Sequence, residues 1–298
     1  MKILIFTLFL ALSFPFAINS QTYPIDETTP ITIKVVVHVV YHTQTEHLSD
    51  AQINSQITVL NQDFGHQANT PGGINPLGVN THIQFILDQI DPVPTNNTSF
   101  TTPNSVKKST NGGVEPWDRS KYLNIWVCNL DYNNARGYTQ FPHCPSIPGL
   151  NTLNPKEYDG VVISYTAFGN TGYQPHSAYN MGRTATHEVG HWLGLLHTFG
   201  DPDAGCNSTD YCDDTPTCSG LWLAGEPGYD SIIGQCGGWR QTSNYMDLSD
   251  DRIANRFTQD QADRMRSVIF AARASFWPTH ITVNQVLDNL TKYGTIGR

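Results

Sequence analysis

Charged side chains are scarce in this chain. Asp, Glu, Lys and Arg make up only 14% of 298 residues, and they lean acidic, to a formal net charge of -9. A surface short of positive charge argues against nucleic acid or an anionic membrane as partner. Beyond the first twenty residues no apolar run approaches the length needed to cross a bilayer. Paired C-x-x-C knuckles are missing, so the spacing does not support a zinc site built from cysteines, and no cysteine precedes Cys128. Internal repeats are missing too. Apolar residues, by contrast, reach 39% of the chain, enough to exclude a disordered polymer and to fill the core of one large domain.

The N-terminus reads as a signal peptide over residues 1–20. Lys2 supplies the positive end and residues 3–17 an apolar run broken by Ser13 and Pro15. Small or polar Asn19 and Ser20 follow, placing cleavage between Ala17 and Gln21. A membrane anchor is the alternative, for which the run is short. Export to the extracellular space agrees with six cysteines, Cys128, Cys144, Cys206, Cys212, Cys218 and Cys236. An even count in a secreted chain favours three disulfides, with fifteen connectivities open. Asn96, Asn97, Asn207 and Asn289 lie in N-x-[ST] sequons, relevant where the host glycosylates.

Residues 31–41, ITIKVVVHVVY, are rich in β-branched side chains and predict a largely buried strand. Ser49 and Gln52 then form a capping box, and Ile53, Ile57, Leu60 and Phe64 recur at helical spacing, predicting an amphipathic helix of about four turns. Further strands are predicted at residues 83–90, 123–130 and 160–165. Residues 95–115, rich in Thr, Asn, Pro and Gly, read as surface loop. Thr258 and Gln261 form a second capping box before a helix whose apolar face is Ala262, Met265, Ile269 and Ala272. The pattern is an α/β layer with one sheet and no second domain.

The chemistry concentrates in Thr186-His187-Glu188-Val189-Gly190-His191-Trp192-Leu193-Gly194-Leu195-Leu196-His197. His187 and His191, one helical turn apart, project from one face and can share an ion. Gly194 tolerates the left-handed backbone of a sharp helix exit, which can bring His197 round as third ligand. Three neutral imidazoles leave a fourth position open, the arrangement of a catalytic zinc. Glu188, beside the first ligand, is then placed as general base for a water at the metal. The bland alternative, ordinary histidines near a helix end, fits three His, one Glu and one Gly at fixed offsets poorly. The other eight histidines, His38, His42 and His82 among them, carry no ligand spacing and read as packed or surface residues.

H-E-x-x-H-x-x-G-x-x-H followed by Ser243-Asn244-Tyr245-Met246-Asp247 resembles the metzincin signature with its Met-turn. VVVHVVYH, SDAQINSQITVLNQDF, LNIWVCNL, RGYTQFP, DGVVI, HEVGHWLGLLHTF and the DDTP of residues 213–216 narrow the resemblance to the pappalysins, over residues 33–273. The resemblance implies an α+β metzincin-like fold: a mixed twisted sheet with an active-site helix and a backing helix. It further implies one catalytic domain over residues 31–275, with a small C-terminal lobe after Gly194 and a tail at residues 276–298. Met246 would form an apolar floor beneath the zinc without binding it.

The acidic loop Asp201, Asp203, Asp210, Asp213, Asp214 and Thr215 reads on composition as solvated. The resemblance shifts it toward calcium, with Asp210, Asp213 and Thr215 as ligands. It also places Cys206 and Cys236 like a family disulfide closing that loop, which leaves Cys212–Cys218 and Cys128–Cys144 as local pairs. The resemblance further implies a tyrosine two residues after Met246, where this chain has Leu248. The expected activity is that of a secreted, monomeric zinc endopeptidase acting on proteins or peptides, with substrate extended along an edge strand near residues 137–141. The rival is a weak or inactive homologue that serves as a binding protein. Leu248 favours the rival and an intact Glu188 opposes it.

Overall fold

A computed structural model describes residues 28–68, 74–200, 202–218, 236 and 240–277. The leader at residues 1–20, Asp201, Asn289 and the tail after Trp277 lie outside these residues. Five strands form one mixed sheet: β1 (Ile31–Tyr41), β2 (Ile83–Pro94), β3 (Leu123–Cys128), β4 (Gly137–Thr139) and β5 (Val161–Ser164), in the order β2-β1-β3-β5-β4. β1 lies parallel to β2 and β3, β5 lies parallel to β3, and the short edge strand β4 runs antiparallel to β5. β1 sits between two neighbours with both faces covered, which is why its sequence is nearly continuous in apolar residues. β2 runs beyond the predicted residues 83–90, through Pro92 and Pro94. Prolines are tolerated there because β2 is an edge strand.

Helix α1 (Asp50–Phe64) begins as its sequence predicts, with the Ser49 hydroxyl accepting from the Gln52 backbone. The capping box is only half formed. The Gln52 side chain reaches instead to the Phe168 carbonyl at 2.9 Å, so a buried long-range acceptor wins over the local one. Helix α3 (Gln259–Ala272) has the complete box from Thr258 and Gln261. Its buried surface is wider than the predicted stripe and takes in Arg264, Arg266, Val268 and Phe270. One apolar core joins β1, β3, β5 and α1 to helix α2 (Arg183–Trp192), Met246 and α3. Residues after Gly194 therefore share the core of the sheet.

The opposite sheet face corrects the reading of residues 95–115 as surface loop. That segment covers Val40, Trp126 and Val162 with buried Phe100 and Val106. Lys107 is 1% exposed, its ammonium donating to the carbonyls of Tyr158 at 2.6 Å and Gly160 at 3.3 Å. Three anchors in a polar stretch suffice to fold it down, and composition averages them away.

α1 also carries buried polar groups that tie it to the rest. The Asp63 carboxylate accepts from Thr186 Oγ1 of α2 at 2.7 Å and from the Tyr245 hydroxyl beside Met246 at 2.8 Å, and pairs with Arg183 at 3.4 Å. Burial raises its pKa while these three donors oppose the rise. Asp63→Ala is expected to lower stability by about 3–5 kcal/mol, because it leaves a buried guanidinium and two hydroxyls short of an acceptor. Urea unfolding measures this, and a loss below about 1 kcal/mol would show that the contact is dispensable.

Candidate active site

α2 starts at Gly182, whose φ of 79° places it in the left-handed region, and its first turn is capped from far along the chain. Asp251 Oδ2 accepts from the Met181 and Arg183 amides at 2.8 and 3.2 Å, a carboxylate placed where helix N–H groups lack partners. The helix ends as the glycine predicts. Gly194 has φ 88° and the Leu195 amide returns to the Gly190 carbonyl at 3.0 Å. A Cβ at Gly194 would lie 2.7 Å from Val268 and 2.8 Å from Leu150, so packing as well as φ demands glycine there.

That exit delivers His197 to the two helical histidines. His197 Nε2 stands 3.1 Å from both His187 Nε2 and His191 Nε2. Nδ1 of His187 meets the Tyr245 carbonyl at 2.7 Å and Nδ1 of His191 the Leu195 carbonyl at 2.7 Å. Each carbonyl requires a proton on Nδ1, which leaves both Nε2 atoms as bare lone pairs facing a third nitrogen. A single N–H on His197 could serve only one of these two lone pairs well, so the trio is short of donors and fits a cation. Burial, reinforced by repulsion from neighbouring histidines, lowers the pKa of His191 and His197, the latter to about 3, and burial lowers His187 as well. All three are thereby kept in the neutral form that ligates metals. Among the described residues this is the sole cluster of three or more His, Cys, Asp or Glu side chains within ligating distance.

Glu188 is buried beside the trio, against β4. A Cβ on Gly137 would come within 2.9 Å of Glu188 Cγ, so the edge strand approaches this carboxylate because it has no side chain there. Burial pushes Glu188 up to about 8, and the Lys107 ammonium pulls it down. Lys107 is itself lowered to about 7 by burial. Met246 is fully buried and lies under Gly190, whose added Cβ would meet Met246 Sδ at 2.5 Å. It packs beneath α2. Asp247 is held by Arg240 through two bonds of 2.8 Å.

A cleft of about 640 Å³ runs along this constellation, with β4, Tyr179 and Leu248 on its walls and the three histidines and Glu188 on its floor. Leu248 is half-buried and faces that cleft. Residues 137–139 form the expected edge strand.

In the loop after His197, Asp210 and Thr215 are buried, against its reading from composition as solvated. Asp210 accepts from Thr215 Oγ1 at 2.6 Å and from the Cys212 amide at 3.1 Å, so two of the three calcium candidates bond each other. The Asp213 and Asp214 amides donate to Asp260, while Asp214 Oδ1 accepts from Thr258 at the start of α3. Cys206 and Cys236 are bonded as the resemblance implied. The pairs Cys128–Cys144 and Cys212–Cys218 do not form, and all four cysteines are free and buried. Cys128 packs with Phe100 and Trp126 on one sheet face, Cys144 with Ile147 and Val268 in a separate cluster. Cys212 turns to the Asp210 carbonyl.

The chain is similar to known proteins in sequence and in fold. The Peptidase M43 family model, described as pregnancy-associated plasma protein-A, matches residues 108–270. Extracellular metalloprotease 1 of Coccidioides posadasii is 33% identical over 249 residues, 82% of this chain and 78% of that protein. The chain belongs to the pappalysin family of metalloproteases. An extracellular metalloprotease of Verticillium alfalfae is also 33% identical, over 84% of this chain and 77% of its own length. Among solved structures, Tannerella forsythia mature mirolysin in complex with a cleaved peptide is 37% identical, with a TM-score of 0.70 over 89% of this chain and 98% of that one. T. forsythia promirolysin reaches a TM-score of 0.73 at 37% identity, over 90% of this chain and 86% of that one.

Within this pappalysin, sequence reasoning passed over Asp63, Lys107 and Asp251. Asp63 did leave a signal, a carboxylate set in the apolar stripe of α1 next to Phe64. Lys107 and Asp251 left none, since their partners lie far along the chain.

Proposed function

We propose that His187, His191 and His197 bind zinc, and that Glu188 is the general base of an endopeptidase that hydrolyses extended protein or peptide segments. The observation that carries this is the convergence of three Nε2 atoms, with Nδ1 of His187 and His191 fixed by carbonyls, beside a buried carboxylate at an edge strand. A zinc ion held by the three histidines would supply Lewis acidity toward the scissile carbonyl and the attacking water. Glu188 would act there as a carboxylate, the form that a neighbouring cation favours despite burial. Glu188 accepts the proton of the attacking water and returns it to the departing amine. The free edge of β4 offers backbone donors and acceptors to a substrate strand, and Gly137 lets that strand lie close to Glu188. Casein or gelatin hydrolysis by the purified protein, abolished by chelator and restored by zinc alone, tests the reading. Undiminished hydrolysis in metal-free protein would end it.

The same reading includes export after removal of residues 1–20, a monomeric state, and one domain whose smaller lobe follows Gly194. The extracellular relatives support export. Leu248 on the cleft wall motivates a gain of function. In Leu248→Tyr a hydroxyl would meet the developing oxyanion, a donor worth about ten- to a hundredfold in kcat with KM little changed. A lower kcat together with a lower Tm would mean that position 248 packs inward, where an unpartnered hydroxyl costs stability.

Calcium at Asp210, Asp213 and Thr215 is proposed from the family resemblance, and a cation there would offset the burial of the Asp210 carboxylate. Burial raises this carboxyl to about 7 despite its two donors. A folded pKa above the unfolded value of 3.8 means that the folded chain holds the proton more tightly. The stability this gives is present below the unfolded pKa and lost as pH rises through about 7. Without calcium, Tm is expected to fall between pH 5 and pH 8 by the equivalent of ~2 kcal/mol, and millimolar calcium restores it at pH 8. Asp210→Asn should flatten the fall and remove the calcium response. A Tm insensitive to calcium at both pH values would exclude the site.

A further inference from the structure

Beyond the cleft, a second hollow of about 330 Å³ is lined by Arg119, Phe141, Lys156 and Arg273, with Asp159 on its floor. Its charge is at odds with the rest of an acidic chain. Asp159 is fully engaged, since Arg273 takes both its oxygens at 2.8 and 2.9 Å. Against the cost of burial, Arg273 holds the Asp159 carboxyl below its usual range, with a smaller contribution from Arg119. Yet the exposed side chains of Arg119 and Lys156 make no hydrogen bond or ion pair among the described residues. Glu157, next to Lys156, faces Lys108 instead. The hollow thus carries two positive charges in excess, at the edge of a protein whose net charge is -9.

Its position relates it to the substrate strand. β4 passes Glu188 at Gly137, and the chain continues through Phe141, whose ring lies 5.0 Å from that of His191. The wall of the hollow follows directly. Gln140 donates to the Pro155 carbonyl at 3.0 Å and Asn154 to the Phe141 carbonyl at 2.8 Å, which ties residues 140–143 to residues 153–156. A peptide lying antiparallel to β4, as β5 does on the other side, advances about 3.4 Å per residue. Its side chains three to six residues before the cleaved bond then reach residues 140–143. We propose that this hollow is a distal subsite that takes an acidic side chain, three to six residues on the N-terminal side of the cleaved bond. The proposal rests on the endopeptidase reading above and specifies its substrates as segments with a carboxylate upstream of the cut.

Ten-residue fluorogenic peptides with one common cleaved core, carrying Glu, Gln or Lys at one of these upstream positions, test it. Partly exposed ion pairs are weak singly, and two cations on one carboxylate should lower KM for Glu against Gln by about three- to tenfold, with kcat alike. Added salt should shrink the difference. Arg119→Gln with Lys156→Gln should bring the ratio to about one, and Arg119→Glu with Lys156→Glu should reverse it in favour of Lys, a change of sign that a purely structural role would not produce. Equal hydrolysis of all three peptides, or a Glu preference that survives the double glutamate variant, overturns the subsite and leaves the endopeptidase reading intact. Failure of folded, zinc-loaded protein to cleave any of the peptides overturns both.

Discussion

Glu188→Ala is expected to retain zinc and the fold while lowering kcat/KM by about two to four orders of magnitude, the range for loss of a positioned general base. The three histidines take their geometry from the Tyr245 and Leu195 carbonyls and from the Gly194 turn, none of which involves Glu188. Stability should hold or rise. Burial raises the Glu188 carboxyl to about 8, so in the metal-free chain the side chain is an unfavourable buried acid, and removing it relieves that desolvation. Activity and stability therefore move apart, which a merely packed glutamate would not cause. Elemental analysis, Tm and steady-state kinetics on one preparation check all three. Near-normal turnover in a zinc-loaded variant would sink the mechanism.

His197→Ala should have the opposite profile. Without the Nε2 that stands 3.1 Å from both helical histidines, only two imidazoles remain, a poor site for a tetrahedral ion. Zinc content after dialysis should drop to a small fraction of wild type, and activity should vanish with it. The stability effect depends on metal. Wild-type Tm should fall on chelation because zinc binds only the folded chain, whereas the variant's Tm should not respond. In chelator the two proteins should melt within about 1 kcal/mol of each other. Burial holds His197 down to about 3, so the substitution removes a neutral side chain and no charge. Full zinc occupancy in the variant would mean that the third ligand is elsewhere.

The parts of this site that were legible in the sequence are those built from neighbours. Histidines four apart share a helix face by the period of the helix, and the glycine three residues after the second one turns the chain within reach of His197. β-branched runs announced β1, and cap residues announced α1 and α3, since each signal and its partner sit within one turn or one strand. Resemblance added Met246 and the Cys206–Cys236 bond.

Only the tertiary structure decided the remainder. It chose Phe168 over the local backbone for Gln52, and it buried Lys107 under a segment that composition assigns to the surface. It made Asp63 the junction of α1, α2 and the Met246 turn, and set Asp251 as the cap of α2. It left Cys128 and Cys144 in different clusters and brought Arg119 and Lys156 together around one hollow past the end of β4. The physical reason is common to all of these. A period or a cap is fixed by the geometry of a few consecutive residues, whereas a buried polar group takes whichever partner the sheet order and helix packing bring within about 3 Å, and no local pattern encodes that choice.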